Sequence, residues 1–173
     1  MATFSKTPTR VGYTISGNSA ETRYAYESSA KTHKKGCLLT LSASGRLVPI
    51  TSGGNMIRAN FGVRGVAGIA AIDGGNYANS TTSVPYYVVN EDTVFISNVI
   101  DRFSAALGTV NLNMVGSVFA CSLTSSAVFV VRRAVGATAS VLVVRGVADG
   151  AADGDLNGRV FWQFLQVEKA FNR

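Results

Sequence analysis

Val84-Pro85-Tyr86-Tyr87-Val88-Val89-Asn90-Glu91-Asp92-Thr93-Val94-Phe95-Ile96-Ser97-Asn98-Val99 lies near the middle of the 173-residue chain, and its reading decides the fold. Two runs of β-branched and aromatic residues flank a polar break, Asn90-Glu91-Asp92. This pattern predicts a strand, a tight connection and a second strand, a hairpin at the centre of a β domain. Glu91 and Asp92 then fill a solvated turn, and the Gly-rich segments on either side read as further strands of the same sheet.

Toward the C-terminus, Asn98-Val99-Ile100-Asp101 resembles a capping box with Asp101 in place of the usual Glu or Gln. At most one short helix is therefore expected, near 98–107, closing on Gly108. Val110–Val115, Val118–Leu123, Val128–Arg132 and Ser140–Val144 read as strands, and Arg159–Val167 as the last one. Toward the N-terminus, Cys37–Leu41 reads as a strand. Arg46–Ile50 is an edge-type strand, because Pro49 donates no hydrogen bond. Gly62–Ile72 is small and apolar, and its glycines allow a close backbone approach. Short strands at a spacing of about 8–12 residues predict an all-β fold, a β-sandwich or barrel of many short antiparallel strands.

Two short segments recur, as a hint of duplication that chance readily supplies in so Gly-, Val- and Ala-rich a chain. Arg64-Gly65-Val66-Ala67 recurs as Arg145-Gly146-Val147-Ala148, and Cys37-Leu38-Leu39-Thr40 has a counterpart in Cys121-Ser122-Leu123-Thr124.

Residues 1–35 differ from the rest. They carry Lys6, Arg10, Arg23, Lys31, Lys34 and Lys35 against Glu21 and Glu27, a net +4 of the whole chain's +6. They are rich in Ser and Thr, poor in aliphatic residues, and bear Phe4, Tyr13, Tyr24 and Tyr26. An extended basic and aromatic arm over 1–35, docked onto its own body or onto another surface, is expected ahead of a single β-rich domain over 36–173. Only 15% of the residues are charged, against about 25% in typical soluble proteins. Such a surface suits cover by copies of the chain or by a partner.

Several chemistries find little footing. His33 is the sole histidine and lies in the polar arm, so a nucleophilic triad has no scaffold. Cys37 and Cys121 sit in apolar runs and read as buried free thiols. Gly62, Gly65 and Gly68 lack the strand-to-helix setting of a dinucleotide loop. Asp153-Gly154-Asp155-Leu156-Asn157-Gly158 matches the start of a calcium loop, but its twelfth position is Phe164 rather than Glu. A plain Asp/Gly/Asn loop is the simpler reading, with weak calcium binding as the other. The arm's charge is modest for direct nucleic-acid binding, and docking on an acidic protein surface is more economical. No catalytic, cofactor or metal residues are assigned. No apolar run approaches the ~20 residues of a membrane span, and no secretory pattern is visible, so synthesis in a cytoplasm is expected.

Gly68-Ile69-Ala70-Ala71-Ile72-Asp73, Asp92-Thr93-Val94-Phe95 and the closing Gly158-Arg159-Val160-Phe161-Trp162 lie in the order of a "G-x-A-x-x-D" strand, a "D-T-V-F" strand and a final aromatic "G-R-V" strand. Over roughly 36–167 this resembles the small head decoration, or cement, proteins of tailed bacteriophages. The resemblance implies a non-enzymatic virion protein on the outer capsid surface. It would bind the major capsid protein, clamp neighbouring capsomers and associate with itself, with a trimer favoured. The arm is a departure from a minimal decoration domain. Its residues Phe4, Lys6, Arg10, Tyr13, Arg23, Tyr24, Tyr26, Lys31, Lys34 and Lys35 are the expected partner contacts. Two alternatives remain: another virion component (head-fibre base, connector or tail protein) and a glycan-binding β-sandwich module.

Overall fold

Residues 83–100 do form two strands, but the strands belong to different sheets. The computed structural model describes residues 2–27, 33–50, 65–74, 83–101, 108–123, 127–131 and 141–165. Within them the strands are β1 (Arg10–Thr14), β2 (Thr22–Tyr26), β3 (Leu38–Leu41), β4 (Leu47–Pro49), β5 (Gly68–Ala70), β6 (Ser83–Val88), β7 (Thr93–Ile100), β8 (Val118–Leu123), β9 (Val128–Val131), β10 (Leu142–Val147) and β11 (Arg159–Phe164). The all-β expectation is met. The hairpin expectation is not, because β6 lies in a five-stranded sheet and β7 in a six-stranded one. Asn90-Glu91-Asp92 is the crossover between them. The Asn90 side-chain oxygen accepts from the backbone N–H groups of Asp92 and Thr93 and so fixes its bend.

The six-stranded sheet runs β1-β7-β11-β10-β8-β9, and a further parallel pairing of β7 with β9 closes it into a barrel. A five-stranded ring is narrow enough for side chains to fill. Alternate residues of each strand point inward: Phe95 and Val99, Val160, Trp162 and Phe164, Leu142 and Val144, Cys121 and Leu123, Val128 and Val130. Trp162 sits among them, its ring 5.3 Å from that of Phe95 and 4.9 Å from that of Phe164. Its indole N–H donates to Ser97 Oγ at 2.6 Å. Ser97→Ala strands that buried N–H. It is expected to destabilise the fold by about 1–3 kcal/mol, read as a lower urea midpoint with an unchanged slope.

The other sheet runs β2-β6-β5-β3-β4, and a parallel bridge between Glu27, just past β2, and Leu47 of β4 joins its ends. Cys37, Leu39, Leu47, Ala70, Val84, Tyr86 and Val88 fill this second barrel. Leu38, Ile69 and Tyr87 of the same sheet face the opposite way and join the cluster that fills the C-terminal barrel. With both faces buried, adjacent residues such as Leu38-Leu39 are all apolar instead of alternating. At Gly68 a Cβ would lie 2.2 Å from the Tyr87 carbonyl oxygen, so the close approach expected of the glycine run is real there. Gly62 lies outside the described residues.

The two barrels share one topology. Numbered within each unit, the ring order is first, fifth, fourth, second, third, all neighbours antiparallel except the parallel closure of third on first. Cys37 and Cys121 lead into or lie within the second strand, and Leu39 and Leu123 both point inward. Counted from the closures Glu27–Leu47 and Val99–Val130, however, Cys121 stands where Leu41 stands, four residues past Cys37, so the Cys-x-Leu-Thr recurrence does not fall on equivalent positions of the two units. The Arg-Gly-Val-Ala recurrence does not either: Val66 and Ala67 precede β5, whereas Arg145–Val147 end β10.

Three expectations need correction. The boundary at residue 36 does not separate the sheets, since β1 pairs with β7 and β2 with β6. Arg10-Val-Gly-Tyr-Thr and Thr22-Arg-Tyr-Ala-Tyr are short edge strands, too poor in aliphatic residues to announce themselves. A helix starting at Asn98 is excluded, because Asn98–Ile100 complete β7; 102–107 lie outside the described residues. Val110–Val115 is no strand: Leu112–Met114 form a 3₁₀ turn whose Asn111 side chain accepts from Asn113 N–H.

Candidate interaction surface

The first fourteen residues are stitched to the C-terminal barrel group by group. Ala2 accepts from Leu156 N–H, and Phe4 N–H donates to the Leu156 carbonyl. Asn98, fully buried, accepts from Thr7 N–H and donates to the Ser5 carbonyl. Thr9, 1% exposed, crosses the seam where β7 leaves β1 and takes up β9. Its hydroxyl accepts from Val128 N–H at 2.7 Å and donates to the Val128 carbonyl at 3.1 Å. Ile15 N–H then reaches the Asp92 carbonyl, and the Asp92 carboxylate takes Ser16 N–H and hydroxyl.

The expected contact residues divide accordingly. Phe4 packs on the barrel core, Lys6 lies 5.8 Å over the Phe129 ring, and Tyr13 meets Phe161 edge-on. Arg10 is exposed at the head of β1, beside a shallow cleft of about 320 Å³ that also borders Gly12, Asp149 and Phe161. Arg23 pairs with Glu21 at 2.7 Å. Lys34 reaches Asp73 at 3.4 Å, and Lys35 donates its backbone N–H to the same carboxylate. Lys31 lies outside the described residues. Tyr24 and Tyr26 project from β2, 67% and 49% exposed. The nine described residues thus do not form one arm. Four ride on the C-terminal barrel, three on β2, and Lys34 and Lys35 on the loop before β3.

The acidic side chains have structural partners. Asp153 takes Leu112 N–H, and Asp155 takes the N–H groups of Ala2 and Ala152. Those two donors, Ala2 first, hold the Asp155 carboxyl below its ordinary range. The Lys35 N–H does the same for Asp73. Asp149 pairs with Arg159. The calcium-loop carboxylates are thus turned onto backbone, with Asn157 in the left-handed region at φ 53°. Among the described residues no three His, Cys, Asp or Glu side chains converge as metal ligands. Both cysteines are buried free thiols, and burial pushes Cys37 up to about 12.

Sequence reasoning missed Thr9, Asn98 and Asp155 as anchors. Their signal was available only as polar residues inside or beside apolar runs. Among the described residues no helix is long and apolar enough to cross a membrane. The chain matches no protein-family model, no curated protein and no solved structure.

Proposed function

We propose that this chain is a non-enzymatic structural protein of a tailed-phage virion, which binds the major capsid protein on the outer capsid surface and stabilises the shell. The observation that carries the reading is the use made of polar side chains. Asp73, Asp92, Asp149, Asp153 and Asp155 all hold backbone or neighbouring cations in place. What the surface offers a partner is strand edges, exposed tyrosines and spaced cations, which suits assembly. The resemblance of the Gly68–Asp73, Asp92–Phe95 and Gly158–Trp162 segments to decoration proteins supports the same reading.

Purified protein added to undecorated capsids is expected to co-sediment at a fixed stoichiometry and to raise their resistance to heat. Failure to bind, together with calcium-dependent retention on a glycan column, would overturn the proposal in favour of a binding module.

A further inference from the structure

The first strands of the two barrels are topological equivalents, and among the described residues only one of them has a covered edge. β2 reaches its closing strand at Glu27 and β7 at Val99. Counting back from those closures, Thr22–Tyr24 stands where Val94–Ile96 stands in β7. In the C-terminal barrel that length of edge is covered by β1, running antiparallel. In the N-terminal barrel β2 ends its sheet there, and no described strand lies beyond it.

The backbone direction of this edge follows from one hydrogen bond. Val88 N–H donates to the Glu21 carbonyl, and Glu21 is two residues from Arg23 along the antiparallel β2–β6 ladder. Main-chain groups of Glu21, Arg23 and Ala25 therefore face β6, and those of Thr22 and Tyr24 face outward. Pro85, which has no N–H to give, lies opposite Tyr24 and fits this phase. Natural edges are guarded by lysine, proline or a bulge. Thr22-Arg23-Tyr24-Ala25-Tyr26 has none of these, and its one cation is paired with Glu21.

We propose that this edge is completed by β2 of a second copy of the chain, as an antiparallel strand pair about a two-fold axis at Tyr24. The strip from Glu21 to Tyr26 is neutral, so it calls for a neutral occupant, and β2 is itself such a strip. Antiparallel pairing about Tyr24 lets each copy supply the N–H and C=O that the other lacks. It sets Tyr24 beside Tyr24 of the second copy on the exposed aromatic face, a favourable cross-strand combination, with the paired length ending before the closure of Glu27 on Leu47. An isologous edge closes at two copies, so a trimer would need a different surface. The inference stands apart from the capsid reading, because it needs no foreign protein.

Sedimentation equilibrium of the full chain is expected to give twice the 18.1 kDa chain mass. Tyr24→Lys, which alters a side chain 67% exposed, is expected to give the monomer with an unchanged far-ultraviolet spectrum. Oxidised Tyr24→Cys is expected to form a disulfide-linked dimer, while Leu112→Cys, 57% exposed on the 3₁₀ turn, does not. A wild-type chain that stays monomeric at every accessible concentration overturns the proposal. So does an oligomer that Tyr24→Lys leaves intact.

Discussion

A chain lacking residues 1–14 is expected to show no cooperative unfolding transition. The composition of the segment suggests a dispensable arm, but its hydrogen bonds place it inside the barrel's construction. Its removal takes β1 from β7 and leaves Asn98, Val128, Asp155 and Leu156 without partners that the intact chain provides. Asn98 and Val128 are wholly buried in the intact chain, and removal of the segment also uncovers the core on which Phe4 and Val11 pack. Each stranded buried group costs about 1–3 kcal/mol, and several together rival the roughly 5–15 kcal/mol that holds a domain folded. Circular dichroism melts of the truncated and full chains provide the measurement. A truncated chain that melts cooperatively within a few degrees of the full one would remove the latch account. Thr9→Val isolates the seam with the chain otherwise whole. Losing the hydroxyl from both Val128 groups should lower stability by about 1–3 kcal/mol.

Truncation cannot distinguish a lost contact from a lost fold, so Lys6, Arg10 and Tyr24 must be probed by point substitution. Arg10 and Tyr24 are exposed, and changing them leaves the hydrogen bonds of Thr9 and Asn98 in place.

Strand content was legible wherever apolar residues ran together. Leu38–Leu41, Val118–Leu123 and Arg159–Phe164 emerged close to their true bounds because burial demands β-branched and aromatic side chains there. Sheet membership was not legible. The break at Asn90-Glu91-Asp92 has the length and polarity of a hairpin turn, and only the pairing of β6 with β2 and β5, and of β7 with β11 and β1, shows a crossover. β1 and β2 were hidden for a related reason. An edge strand needs apolar residues on one face at most, so Thr22-Arg23-Tyr24-Ala25-Tyr26 carries the composition of a loop. The shared strand order of the two barrels was not legible either: the Cys-x-Leu-Thr segments lie four residues out of register, and the Arg-Gly-Val-Ala match is a by-product of a Gly- and Val-rich chain.

His33, sparse as its surroundings look in the sequence, is expected to control the pH dependence of stability. It lies buried with Glu27 in the N-terminal barrel, each 2% exposed, with Nδ1 and Oε1 2.6 Å apart. Gly74 closes over them, since a Cβ there would clash with both. Around the pair stand Cys37, Asp73 with its partner Lys34, and Arg46, which reaches the Glu27 carbonyl. Burial raises the Glu27 pKa from its ordinary 4.5 and lowers that of His33 from 6.5, against a weaker upward pull from Asp73. Both directions favour the uncharged forms, so the folded pair holds one proton over a wide range. The unfolded chain holds two below about pH 4.5, one from there to about 6.5, and none above. Stability from the pair therefore rises with pH up to about 4.5, stays level to about 6.5, and falls beyond. His33→Leu leaves one proton on Glu27 alone, so its alkaline loss begins near 4.5 instead. The wild-type advantage, set by a buried pair deprived of one member, should reach about 3–5 kcal/mol. It should grow with pH until about 6.5 and stay constant above. Urea melts of both proteins on either side of that pH measure it, and a difference independent of pH would show that His33 takes no part in the proton balance.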